Sequence, residues 1–89
     1  MVQSPKLDKG EVRRYAAEWI EQLQRGNVFH LSDLYKYLKA NFSDECDERG
    51  MTPDSKEPQY EKDARWAVQD CKFRMLITLA HPRGCWRRL

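Results

Sequence analysis

The chain has 89 residues, 40% of them hydrophobic and 11% aromatic, enough for one small domain with its own core and too apolar for a disordered chain. Its net charge of +2 hides a pattern: residues 43–57 carry a local balance of −4 and residues 58–89 one of +4, so a surface for a polyanion is expected in the last third. No apolar run is long enough to span a bilayer, and the opening MVQSPKLDKG lacks the hydrophobic stretch of a secretory signal, so a cytoplasmic protein with no membrane partner is expected.

Residues 1–9 read as a flexible start and residues 10–89 as a single domain. Asp8 is the expected N-cap of a first helix. Its apolar residues Val12, Tyr15, Ala16, Trp19, Ile20 and Leu23 recur at spacings of three and four and form one stripe. Gly26-Asn27, tolerant of positive φ, ends it. Val28-Phe29-His30-Leu31 is a short β-prone run. Ser32 then reads as the N-cap of a second helix, with Asp33 in its first turn, where a carboxylate suits the helix dipole. Leu34, Tyr35, Leu38 and Phe42 are its expected inward stripe, with Lys36, Tyr37 and Lys39 on other faces.

Residues 43–57, SDECDERGMTPDSKE, hold Gly50, Pro53, many carboxylates and almost no apolar content, and read as a solvated acidic loop inserted in the domain. A third helix is expected from about Pro58, with Tyr60, Ala64, Ala67, Val68 and Cys71 facing inward. After Met75 the period changes to two. Residues 76–79 read as a strand, His81-Pro82-Arg83-Gly84 as a turn and residues 85–88 as the returning strand, with Trp86 plugging the hairpin onto the helices. The expected fold is therefore mainly α with a small β-hairpin. Helix, short strand, helix, helix and hairpin is the order of a winged helix-turn-helix, whose wing would be the turn at 81–84.

"YEKDARWAVQDCKFRMLI" followed by "HPRGCWRRL" resembles the last helix and wing of the winged-helix domain at the N-terminus of Mrr-type restriction endonucleases. Trp66, Ala67, Lys72, Leu76, Ile77, Gly84 and Trp86 fall on that family's W-A-x-x-x-x-K helix, following strand and G-x-W hairpin. "FHLSDLYKYL" is similar to the strand and second helix of such domains, so the resemblance spans roughly residues 10–89. Met75 departs from it, standing where these domains often place a Gly, and the acidic segment is longer than their simple turn. The resemblance implies a reader of double-stranded DNA, with modified DNA among its candidate ligands. Its setting would be a restriction, repair or regulatory system, in which a nuclease or other effector, lying outside these residues, does the work.

The residues themselves carry a compatible chemistry. Lys62, Arg65, Gln69 and Lys72 are spaced by three or four and share one helix face, where Arg and Gln suit guanine and adenine edges and Lys suits phosphate. Arg83 at the turn points outward and is the best wing contact; Arg87 faces out if Trp86 faces in, and Arg88 alternates with it. Trp66 has two readings: closing the core under 43–57, which the general burial of Trp favours, or stacking on a modified or flipped base. The rival function is a protein-interaction domain of the same fold that does not bind DNA, favoured by Glu61, Asp63 and the acidic segment. Three cysteines (46, 71, 85) without a C-x-x-C pair argue against a disulfide framework, and with His30 and His81 they form no short zinc spacing. Neither a metal, another cofactor nor catalysis is expected.

Overall fold

Four helices and a three-stranded antiparallel sheet make up residues 9–54 and 56–89, the part of the chain that the computed structural model describes. The order is α1 (Lys9–Gln22), β1 (Val28–His30), α2 (Leu31–Asn41), α3 (Ser43–Arg49), α4 (Gln59–Phe73), β2 (Ile77–Ala80) and β3 (Cys85–Arg88). Asp8, the expected cap of α1, lies outside the described residues.

The core forms where the apolar stripes of α1 and α4 meet. Val12, Ala16 and Ile20 of α1 are buried, as are Tyr60, Ala64, Ala67, Val68 and Cys71 of α4. The small residues Ala16, Ala64 and Ala67 suit a close approach of the two helices, which make the most extensive helix–helix contact in the molecule. Leu34 and Leu38 bring α2 onto this pair. Tyr37, expected on an outer face, instead joins an aromatic cluster with Trp19 and Phe42, whose ring also stacks on Tyr15 at 3.9 Å.

The sheet has the order β1-β3-β2, with the chain's last strand in the middle. In this register Trp86 lies between Phe29 and Leu79. Phe29 and Trp86 are buried in the same cluster as the helices, so the hairpin is anchored in the core by its Trp as expected. Arg88 closes the far end of the sheet. Its N–H donates to the Asn27 carbonyl at 2.8 Å, and its guanidinium donates to the carbonyls of Leu89 at 2.8 Å and Glu21, in the last turn of α1, at 3.3 Å. A cation at a helix C-terminus is favourable.

Helix α4 ends in a Schellman motif: the Met75 N–H donates to the Lys72 carbonyl at 3.0 Å and the Leu76 N–H to the Cys71 carbonyl at 2.9 Å. The left-handed residue is Met75, with φ 65°.

Two expectations are corrected here. The cap of α2 is His30, the last residue of β1, and Ser32 is already inside the helix: the Ser32 N–H donates to His30 Nδ1 at 3.0 Å, while the His30 N–H donates to the Asp33 carboxylate at 3.0 Å. The pair forms a reciprocal capping box in which an imidazole nitrogen takes the place of a hydroxyl. Residues 43–57 are not a plain loop either. Their first half is α3, which buries Cys46 and is fastened by Lys39–Asp47 (2.8 Å) and by the Arg49–Asp63 ion pair (2.6 Å). Asp63 is completely buried and also accepts from Gln59 Nε2 at 3.1 Å. A carboxylate in the interior needs such partners, so Asp63 belongs to the scaffold rather than to the outer face of α4.

Candidate nucleic-acid interface

The hairpin tip is built against the start of α2. Gly84 has φ 89°, and a Cβ placed on it would come within 2.7 Å of His30 Nε2, so glycine is required twice over. The Leu31 N–H donates to the Gly84 carbonyl at 3.1 Å, and the Cys85 N–H donates to the Pro82 carbonyl at 3.1 Å. The imidazole that caps α2 therefore also buttresses the turn. This holds Arg83 exposed at the tip. Arg87 is exposed in the middle strand, opposite Val28 on one side and Thr78 on the other.

On α4 the buried stripe leaves a crest of Lys62, Trp66, Gln69 and Phe73, all exposed, flanked by Arg65 and Lys72 on one side and Asp70 on the other. Lys72 leans to the sheet, with Nζ 5.9 Å from the Trp86 ring centroid. Lys62, Lys72, Arg83 and Arg87 make no ion pair among the described residues. Arg65 differs. Its guanidinium forks onto Glu57 with two bonds of 2.8 Å and touches the Tyr35 hydroxyl at 3.4 Å. The fork holds the Glu57 carboxyl below its ordinary range and the Arg65 guanidinium above its own. Glu57 and Asp54, with Lys62, line a small hollow at the N-terminal end of α4. The acidic segment thus engages Arg65 on the flank and lies beside Lys62 at the start of the crest, which itself stays exposed.

Trp66 does not close the core. It is 53% exposed, and the Arg13 guanidinium of α1 lies over its ring at 4.9 Å. Its position on α4 falls outside the inward arc, and the residue that α1 presents to it is a cation rather than an apolar side chain. Phe73, one of the residues that the sequence reading passed over, is 90% exposed. Its signal was available: Trp66 and Phe73 lie seven residues apart, two helical turns, on the polar face.

All three cysteines are free and buried. Burial pushes the Cys46 and Cys71 thiols up to about 11, which keeps them protonated and poorly nucleophilic at neutral pH. Among the described residues no group of His, Cys, Asp or Glu gathers to hold a metal ion, and no helix is long and apolar enough to cross a membrane. Comparison with known families, curated proteins and solved structures finds no match for the chain.

Proposed function

We propose that this chain is a winged helix-turn-helix module that binds double-stranded DNA through the C-terminal half of α4 and the β2–β3 hairpin, without catalysis. One observation carries the reading: exposed cations free of carboxylate partners among the described residues, Lys72, Arg83 and Arg87, stand on the helix and hairpin that follow the acidic segment. Such side chains neutralise phosphates and release counterions, while Gln69 beside them has the amide that reads an adenine edge. Arg65 and Lys62, next to Glu57 and Asp54, contribute less in this state. The resemblance to the winged-helix domain of Mrr-type endonucleases supports the same reading and adds an effector, such as a nuclease, as the partner that acts once DNA is bound. It also makes base-modified DNA a candidate ligand.

A second reading, a protein-docking domain of the same fold, is favoured by the Glu57–Arg65 fork and the exposed Trp66. Anisotropy of a labelled duplex, titrated at low and moderate salt, separates the two. Salt-sensitive binding supports the DNA reader, and its absence at low salt supports the rival. Matched duplexes with and without base modification then define the ligand.

A further inference from the structure

We infer that the Trp66–Phe73 seam of α4 stacks unpaired bases of a DNA strand that leaves the duplex held by the hairpin. This rests on the DNA-binding reading above and adds a second, different contact to it. Two large aromatic rings stand on the exposed crest of one helix, 53% and 90% exposed. Separated by two turns, they lie about 10 Å apart along the axis, which leaves room for one or two bases between them.

The surroundings select a nucleobase over an apolar partner helix. A docking helix needs a continuous apolar stripe, and here the gap between the rings is floored by Gln69 and Asp70. An amide and a carboxylate are partners for the donor and acceptor edges of a base. The charge around the rings also suits a nucleic-acid backbone. Arg13 sits 4.9 Å from the Trp66 ring centroid, and Lys62 lies one turn before it on the crest. The nearby Asp70 carboxylate lies 3.8 Å from the Arg74 guanidinium, which Glu21 shares at 2.7 Å. Aromatic rings flanked by cations are how proteins hold unpaired strands with little regard to sequence.

The test compares a blunt duplex with the same duplex carrying a single-stranded overhang, using the full chain. Trp19 is half-buried and Trp86 buried, so Trp66 is the exposed indole and its fluorescence reports stacking. The overhang should bind about ten-fold tighter than the blunt duplex, with quenching of the exposed tryptophan. Phe73→Ala should remove most of that advantage, read as the ratio of the two affinities, Trp66→Ala should remove both advantage and quenching, and Arg83→Ala should weaken both ligands in parallel and leave the ratio unchanged. Equal affinity for the two ligands, with blunt binding intact, overturns the stacking seam and leaves the DNA reading standing. An advantage that survives both aromatic variants overturns it too. So does a dimer, seen by sedimentation, that Trp66→Ala dissolves in a protein with no preference for the overhang. Binding of the overhang alone upholds the seam and overturns the duplex reading, and binding of neither overturns both.

Discussion

Met75 occupies a backbone position where its side chain is a cost. At φ 65° an L-residue with a Cβ is strained relative to glycine by roughly 1 kcal/mol, and Met75, 78% exposed, recovers little by packing. Met75→Gly should therefore stabilise the fold by about 0.5–1 kcal/mol in a urea titration, since the Schellman bonds are made by backbone alone. A loss of stability would mean that the Met side chain is more useful in place than its exposure implies. His30 is the reverse case, a residue with two structural duties. His30→Ala should cost about 1 kcal/mol by removing the cap of α2, and His30→Asn, a standard cap, should restore most of that in the same titration. The cap at His30 was not legible in the sequence, whereas the exposure of Trp66 was one of its two readings. Histidine is a rare cap, so Ser32 was the natural choice; the Arg13 guanidinium over the Trp66 ring comes from a helix far away in the chain and had no local signal.

At the scale of elements, what was legible followed periodicity. α1, α4 and the hairpin declare themselves by apolar spacings of three and four and then of two. The inward residues of α4 are buried, as are Val12, Ala16, Ile20, Ile77 and Trp86, while Tyr15, Trp19 and Leu23 are half-buried and Leu79 is exposed. α3 does not, because SDECDER has a single apolar residue, Cys46, and no stripe to detect. Its buried fastening is the Arg49–Asp63 pair, which joins it to α4, beside the exposed Lys39–Asp47 pair to α2. Removing one partner of a buried ion pair strands the other, so Arg49→Met should cost about 3–5 kcal/mol. Arg49→Met with Asp63→Leu should recover most of the loss; chemical denaturation of both variants checks this, and a double variant as weak as the single one would place the cost in α3 packing instead. The hairpin is anchored by Trp86, and truncating a buried Trp costs roughly 3–5 kcal/mol. Trp86→Ala should lower the melting temperature sharply or unfold the chain, whereas Arg83→Ala should melt like the parent.

Across the whole molecule the charge is divided. The acidic segment lies beside the N-terminal end of α4, where Glu57 holds Arg65, while the hairpin and the C-terminal half of α4 present cations. The local balances of −4 and +4 along the chain foretold this division, but which cations are free did not show in them, because Glu57 and Arg65 meet only through the turn before α4. Glu57→Gln should release Arg65, strengthen duplex binding and steepen the dependence of log K on log salt by about one. The fork also has a pH signature. Because Glu57 is held below its ordinary range, the stabilisation it gives is present above the ordinary carboxylate value of about 4.3 and is lost as pH falls through the lowered one. The stability advantage of the parent over Glu57→Gln should therefore shrink on acidification from about pH 5 towards pH 3. An advantage that stays constant over that window would show the fork to be energetically idle.

The most direct test of DNA binding by the hairpin and the second half of α4 is the salt slope of duplex affinity, measured for the parent and for Arg83→Ala with Arg87→Ala. If both arginines neutralise phosphates, the double variant should bind more weakly, keep its fold by circular dichroism, and show a slope shallower by about two. An unchanged slope, or a parent that ignores the duplex at low salt, would contradict the account.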